Sequence, residues 1–518
     1  MQDKVQRDMA KHSKRLAPKP SYTSPKQLTL AGFETPFEQH LDESNRWIRL
    51  AKLIPWDEIC NEYLQHVGTG DTGRKPINPR IIIGAVIIKH LCNFDDEETV
   101  QQISENMYMQ YFLGYSSFTT SQPFDSSLFV WIRKRLGMQT VNALNERIIA
   151  LKTKMGELPK DEKKEEEKID KTESDKPDDS ANPPQQAVAN KGRVLMDASA
   201  CPQDIAYPTD LDLLSSAREK SEQLIDILYD GSGLEKKPRT YRENARKDYL
   251  CTAQNKNKSR KTIRKAVRKQ LGYLNRNLKS VDKLLDCYST IPLTQSQYKY
   301  LLVIHTVLEQ QQQMFDQQRH SVEHRIVSIH QPHVRPIVRG KSKAKVEFGS
   351  KIHISVIDGI TFLDELSWDA FNEGSHLMEY VENFRKRFGC YPRELMADQI
   401  YCTRANRSSL KALNIKLIAK PLGRPSAVKE HIRPGERNPV EGKFGQAKTA
   451  YGLDRIGARL KNTSESWIAS IILVLNLVKL AGLALCCLVA NKILIWFYKS
   501  VTGLDFILCE KIGIECAI

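Results

Sequence analysis

The sequence predicts an α/β domain with a mixed sheet flanked by helices, interrupted by a large helical insertion and preceded by an all-α domain. Three observations predict it. Two short apolar runs, VLM and ELMA, lead into Asp197 and Asp398, and an alternating segment turns at Asp358-Gly359, the dipeptide of a two-residue hairpin. Between the first run and that hairpin, residues 211–340 carry amphipathic stretches such as SSAREKSEQLIDILYD and QYKYLLVIHTVLEQQQQMFDQQ. Upstream, residues 157–190 hold almost no large apolar side chain and mix charge blocks with Pro and Ser, which marks a linker.

In chain order, residues 1–35 are polar, basic and rich in Pro and Ser, and a mobile tail is expected there. A helical domain is expected over 36–152. Asn78-Pro79 supplies an N-cap and an N1 proline before IIIGAVIIKHL, and Asp95 precedes a second amphipathic run through Tyr111. A third helix is expected from Asp125 to Gly137, with Phe129, Trp131 and Ile132 beside Arg133, Lys134 and Arg135. Three short helices ending in a basic one suit a helix-turn-helix DNA reader and a plain bundle equally. A disordered charged linker follows over 153–191, then the α/β domain over 192–480. Its strands are expected at 193–196, 345–357, 361–368, 394–397 and 416–420, and its helices at 376–388, 404–413 and 439–452. An apolar helical segment over 481–518 closes the chain.

Composition narrows the function. A formal charge of +16 and a pI near 9.2 favour a polyanionic partner. The charge is uneven: residues 236–269 hold fourteen Lys or Arg against Glu243 and Asp248 alone, a net +12. A basic helical stripe of that density suits a phosphate backbone, although a solvated face would look the same. Within it, Arg260, Lys261, Arg264 and Lys265 are the candidate DNA contacts. The eleven cysteines are odd in number, and those before residue 403 lie far apart without a CxxC, which argues against a disulfide framework or a zinc ribbon. The N-terminus opens MQDKVQRDMAKHSKR with no apolar segment behind it, so no secretory signal is expected. Residues 468–498 are apolar and helix-length, but Asn476, Lys479, Asn491 and Lys492 interrupt them. The uncharged run between the two lysines falls short of the roughly 20 residues a bilayer needs, so one or two buried helices are expected and no membrane contact.

Carboxylates carry the candidate chemistry. Asp197 and Asp398 each follow a short strand, and in open α/β sheets reacting groups collect at strand C-termini. Asp also closes strands simply as a turn residue. If the two strands are neighbours, the carboxylates converge and suit two hard ions, Mg2+ or Mn2+, about 4 Å apart. Glu441 lies on the helix that follows the next strand, and Lys448, seven residues on, shares its face. Asn438, Pro439 and Glu441 also fit a capping box that needs no catalysis.

Taken in order, MDASACPQDIAYPTDLDLLSSAR, HQPHVRPIVRGKSKAKVEFGSK, SWDAFNEGS, YPRELMADQIYCTRANR and RNPVEGKFGQAKTAYGLDRI resemble the transposases of bacterial insertion sequences. They are similar to the group, related to insertion-sequence families four and five, that carries a DDE triad on a ribonuclease H-like fold. The likeness covers about 194–480, and 36–140 is similar to that group's N-terminal domain. The resemblance implies a triad of Asp197, Asp398 and Glu441 on a ribonuclease H-like sheet whose first and fourth strands are adjacent. The family's signature of tyrosine, arginine, glutamate and lysine is matched in spacing by Arg437, Glu441 and Lys448, while Pro434 stands at the tyrosine position. Arg437 and Lys448 thereby become candidate DNA contacts. Trp368 and Asn372 could approach a displaced base, or Trp368 could pack the hairpin.

The resemblance further implies hydrolysis at transposon 3′ ends, transfer of the 3′-hydroxyl to target DNA, and double-stranded DNA as the partner. It also implies a homodimer or larger synaptic assembly in the bacterial cytoplasm, associated with the nucleoid. Two other readings stay open: a catalytically inactive DNA-binding protein derived from a transposase, and a metal-dependent nuclease without strand transfer.

Overall fold

The computed structural model describes residues 40–66, 77–154, 190–338, 346–419 and 438–502. The tail expected over 1–35 and most of the linker expected over 153–191 lie outside them. Among the described residues six helices come first: α1 (Arg46–Leu53), α2 (Trp56–His66), α3 (Pro79–Cys92), α4 (Asp96–Glu105), α5 (Met107–Leu113) and α6 (Leu128–Lys154). Asn78 caps α3 by accepting from the Arg80 N–H, with Pro79 in the first turn, and Asp95 caps α4 by accepting from the Glu98 N–H. The helix expected to stop at Gly137 does leave helical geometry there, at φ 55 and ψ 166, and then resumes to Lys154.

Next come β1 (Arg193–Pro202), then α7 (Asp210–Asp230), α8 (Arg242–Ala253), α9 (Arg260–Leu285) and α10 (Gln295–Asp316). The sheet continues with β2 (Arg335–Val338), β3 (Val346–Ile357) and β4 (Ile360–Ser367). The remaining elements are α11 (Leu377–Phe388), β5 (Glu394–Met396), α12 (Arg404–Ala412), β6 (Lys416–Ile418), α13 (Asn438–Tyr451) and α14 (Lys461–Thr502). Two departures from the sequence expectation concern the insertion and the C-terminal apolar segment. Residues 335–338, expected inside the helical insertion, are a sheet strand, and the segment expected to begin at 481 is the second half of one long helix.

The strands run in the order β2-β3-β1-β5-β6, with β4 also paired to β3. β2 takes the 346–349 end of β3 and β4 the 351–357 end, so both occupy the same edge. β3 is antiparallel to β1, whereas β5 and β6 run parallel to it. The β3–β4 turn places Asp358 at φ 50 and Gly359 at φ 79, the double left-handed geometry for which this dipeptide is suited. One face of the sheet, through Val194, Met196, Ile357 and Phe362, packs on Leu377, Tyr380, Val381 and Phe384 of α11. The other face, through Cys201, Ile352, Ile354 and Val356, joins a core that also takes in α13, α14 and the N-terminal helices. The helices expected as a domain of their own thus share one core with the sheet. The insertion has a separate core, built from Leu214, Ile225, Leu274, Val281 and Ile304 among others.

Two polar devices fix these layers. Lys89 of α3 and Arg133 of α6 are both buried and both bind Asp96, at 2.9 and 2.7 Å, with their charges 4.7 and 5.3 Å from the ring centroid of Trp467 on α14. Burial pulls the Lys89 pKa down. Burial also works to raise that of Asp96, but the Arg133 hydrogen bonds and Lys89 hold it below the usual range. The second device closes an edge. On β4, the Thr361 N–H donates to Asn476 Oδ1 at 2.8 Å and its carbonyl accepts from Asn476 Nδ2 at 2.7 Å, so a helix side chain stands where a further strand would pair. Asn476 Nδ2 also donates to Asn145 Oδ1 of α6 at 2.7 Å.

Asn476→Ala orphans the Thr361 N–H and leaves its carbonyl only the 3.4 Å bond from Asn145 Nδ2, so the variant is expected to lose about 1–3 kcal/mol in urea unfolding, the cost of one buried unpaired group. An unchanged unfolding midpoint would show that this edge does not depend on Asn476.

Candidate active site

Asp197 lies inside β1, opposite Ile354, and not past the strand's end as expected, because the antiparallel ladder with β3 continues to Pro202. The parallel ladder with β5 does stop before it, at Leu195↔Met396. Continued two residues further, the same register sets Asp398 beside Asp197. Asp197 Oδ1 accepts from the Ala198 N–H at 2.9 Å, and Asp398 Oδ1 from the Gln399 N–H at 2.7 Å. Each carboxylate is therefore held by the amide that follows it. Asp197 is half-buried and Asp398 exposed.

Glu441 occupies the first turn of α13 and is exposed. Val440, Phe444, Ala447 and Tyr451 bury one face of this helix, which packs against β1, β3, α3 and α14. Val194 and Met196 belong to the opposite core and Leu195 to this one, so alternation puts Asp197 on the α13 side of the sheet. Lys448 is half-buried in the last turn of α13. Arg437 and Pro434 lie outside the described residues. The helix is described from Asn438 onward, and the capping expected of that residue's side chain lies outside the described residues. Among the described residues no three His, Cys, Asp or Glu side chains gather closely enough to hold a metal ion. The arrangement is two aspartates in register and a glutamate on the helix packed beside them. Their donors are all carboxylate oxygens, the chemistry that a hard divalent ion takes.

Several residues around the aspartates carry no signal in the sequence. The loop 368–376 is clasped to the loop 398–406, since Asn406 Nδ2 donates to the Gly374 carbonyl at 2.7 Å and to the Tyr401 carbonyl at 2.9 Å. Gly374 is required there, because a Cβ would collide with the Ile400 carbonyl. Lys351 pairs with Glu373 and donates to the Phe371 carbonyl at 2.8 Å. Lys443, two residues past Glu441, has its pKa pulled down to about 8 by burial and then by Lys479. No motif announces these contacts, which pair residues from separate segments.

Trp368 is buried among Val327, Val334, Phe348 and Leu366, stacks edge-on with His333 at 4.3 Å, and donates to Glu465 Oε1 at 2.9 Å. It packs the hairpin and offers no ring to a base. Asn372 instead caps a short turn by accepting from the Gly374 N–H. In the N-terminal region Arg133 is committed to Asp96 and leaves the basic face expected of that helix, while Trp131 is 60% exposed with Lys134 4.7 Å from its ring centroid.

On the insertion, Arg260, Lys261, Arg264 and Lys265 are all exposed in the first turns of α9. Arg260 and Arg264 line a cleft of about 390 Å³ with Arg319, His320 and Phe315, and the Arg264 guanidinium lies 4.2 Å from the Phe315 ring centroid. Other cations of the stripe are neutralised locally: Lys237 and Arg242 on Asp226, and Lys269 on Asp248.

Residues 35–135 match the family described as Transposase domain (DUF772), and residues 395–478 match the family described as Transposase DDE domain. The second match contains Asp398 and Glu441 and begins after Asp197. An uncharacterized protein of Rhizobium meliloti, ORF8 in the nfe locus, is 36% identical over 101 residues, which cover 19% of this chain and 46% of that relative. The chain thus spans less than half of the curated relative it matches. No solved structure matches it.

The burial of His333 against Trp368 yields a pH prediction. Desolvation, then Lys299, Arg335 and Lys461, pull its pKa from 6.5 to about 4, so the folded chain binds fewer protons between those values than the unfolded one. Stability contributed here is fully present above pH 6.5 and is lost as pH falls towards 4. Discounted for partial exposure, the slope is expected to amount to about 1–2 kcal/mol. Replacing His333 with Gln should flatten it in unfolding curves taken between pH 4 and 6.5, and an identical slope in the variant would place the effect elsewhere.

Proposed function

We infer, from a chain that carries a transposase domain and a transposase DDE domain, that it is a DDE transposase of insertion-sequence type which cleaves and rejoins DNA with Asp197, Asp398 and Glu441. One observation carries the assignment of residues: the parallel β1–β5 register that brings Asp197 level with Asp398, on the sheet face against which the helix of Glu441 packs. The strand order, with β5 and β6 parallel to β1 and the β3–β4 hairpin on its other side, supports a ribonuclease H-like fold. On this reading the catalytic α/β domain covers 192–480.

When bound, two magnesium or manganese ions would supply activation of the attacking oxygen and stabilisation of the leaving oxygen of a phosphodiester. The chain's own part is to hold the three carboxylates. Asp197 and Asp398 are preset by their neighbouring amides, whereas Glu441 must close onto them from the first turn of α13. Lys448, on the same helix, meets a DNA phosphate, as does Arg437. The reaction is hydrolysis at each transposon 3′ end, followed by attack of the freed 3′-hydroxyl on target DNA. Two ends must be held together, so the acting species is a homodimer or larger, working on DNA in the cytoplasm.

The exposed cations of α9 serve as the sequence-independent grip on the duplex. With the Lys237, Arg242 and Lys269 charges already paired, Arg260, Lys261, Arg264 and Lys265 carry this role. The exposed pair Trp131 and Lys134 on α6 supports a second contact by the N-terminal helices.

Asp398→Asn keeps the side chain's shape but removes the charge a divalent ion needs. On supercoiled plasmid carrying the element's ends, it is expected to abolish cleaved and joined products while the band shift with end DNA persists. Wild-type cleavage by this variant in magnesium would remove Asp398 from the mechanism. Changing Arg260, Lys261, Arg264 and Lys265 together to Ala should flatten the plot of log affinity against log salt by about 0.9 for each phosphate that the variant no longer neutralises. An unchanged slope would make the stripe a solvated face.

A further inference from the structure

The cleft on the insertion has a floor that a basic stripe does not need. On α9, Ile263, Val267, Leu271 and Leu274 recur at helical spacing, and from Val267 onward they are buried in the insertion's own core. Ile263, one turn earlier, is 40% exposed, because the facing helix α10 ends at Asp316 and leaves that turn uncovered. The seam between the two helices therefore opens into the cleft of about 390 Å³, floored by Ile263, Met314 and the half-buried Phe315 and rimmed by Arg260, Arg264 and Arg319. Among the described residues none of these three guanidiniums forms an ion pair. Asp210, the one acid in the lining, is already taken by Arg325 at 2.7 Å and Gln311 at 2.8 Å. The walls are also fixed. Gln318, at φ 53, turns the chain at the end of α10 so that the Arg319 N–H donates to the Met314 carbonyl at 3.1 Å, and Arg325 Nη1 donates to the His320 carbonyl at 2.7 Å.

We propose that this cleft seats one unpaired nucleotide of a bound DNA strand, with its base on the apolar floor beside Phe315 and its phosphate among Arg260, Arg264 and Arg319. This rests on the reading of the α9 stripe as a grip on the duplex. A phosphate backbone alone calls for cations, whereas a base face calls for apolar and aromatic surface, on which it stacks whatever its sequence. The cleft offers both within a volume typical of ligand pockets, about 300–1,000 Å³. A base inside a duplex is covered by its neighbours, so the nucleotide that fits is an unpaired one. The Arg264 guanidinium, flat and 4.2 Å from the Phe315 ring centroid, joins rim to floor and widens the platform. Lys261 and Lys265 follow Arg260 and Arg264 by one residue, about 100° round the helix, so a strand held on the lysines reaches the cleft without leaving α9.

The test uses the full chain with a blunt DNA duplex and the same duplex forked at one end, its unpaired bases replaced by 2-aminopurine, whose fluorescence stacking quenches. Wild type is expected to bind the forked duplex about tenfold more tightly than the blunt one and to quench the fluorescence. Phe315→Leu keeps apolar bulk but removes the aromatic face. It should lose most of that preference and of the quenching, with the affinity for blunt duplex unchanged, which also shows that the insertion still folds. Arg319→Gln, on the exposed rim, should lower the preference in the same way. Equal wild-type affinity for the two duplexes would overturn the proposal, and so would an undiminished preference in Phe315→Leu. Free dAMP binding as tightly as the forked duplex would make the cleft a pocket for free nucleotides and overturn the assignment to a strand. The separating arm changes Lys261 and Lys265 together to Ala, which should weaken both duplexes alike. Unchanged blunt-duplex affinity in that variant would remove the grip reading, while the forked-to-blunt ratio still decides on the cleft.

Discussion

Two hundred residues of chain separate Val194 from Leu395, and only three paired positions join their strands. Around that short parallel ladder the rest of the site is arranged. It sets the level of Asp398 against Asp197, gives β6 an edge to extend, and leaves the far side of β1 for the long antiparallel ladder with β3. Three pairs suffice because the strands are covered on both faces. Val194 and Leu395 are completely buried beneath α11, and Leu195 faces the opposite core. A parallel pair has little stability of its own, so the apolar residues above and below hold it in register.

The helices that cover the second face come from both ends of the chain. α14 threads between the N-terminal bundle and the sheet, packing along α6 and β4. This explains the composition of the apolar C-terminal stretch: its first half, from Lys461 to Gly482, is apolar and long enough to cross a membrane, yet Ile468, Ile471, Ile472 and Leu475 are buried in protein. Asn476 interrupts the apolar run at the place where a strand edge needs a donor and an acceptor. The cations Lys89 and Arg133 are committed to the same junction.

Much of the α/β order was legible because it rests on local signals. Asp358-Gly359 turns as its residue types require, Gly137 breaks its helix, and Asn78-Pro79 and Asp95 begin theirs. Asp398 was legible as a strand-end residue, whereas Asp197 was not placed correctly, since β1 runs on past it to pair with β3 and not with β5. What stayed hidden depends on partners far away in the chain. Arg133 reads as one of three basic residues on an exposed helix until Asp96 and Trp467 close over it. Trp368 reads equally well as a base platform or a core residue, and only its contacts with His333, Glu465 and Val334 decide. Gly374, Asn406 and Tyr401 carry no motif, because their work is to fasten one loop to another. Arg437 and Pro434 belong to residues outside those described.

The ion pair between Arg325 and Asp210, at 2.7 Å, joins the last part of the insertion to its first helix, and Gln311 reaches the same carboxylate at 2.8 Å. The insertion therefore begins and ends at one point, and this bears on the order of folding. Unfolded, it makes β1 and β3 the ends of a loop of about 150 residues; folded and pinned at Asp210, it leaves only about 30 residues to close, which lowers the chain-entropy cost by on the order of 1–2 kcal/mol. A helical unit with its own core and mostly local contacts also folds faster than a sheet assembled from distant strands. The insertion thus acts as a spacer that holds the facing ends of β1 and β3 close together, on the side of β1 away from β5.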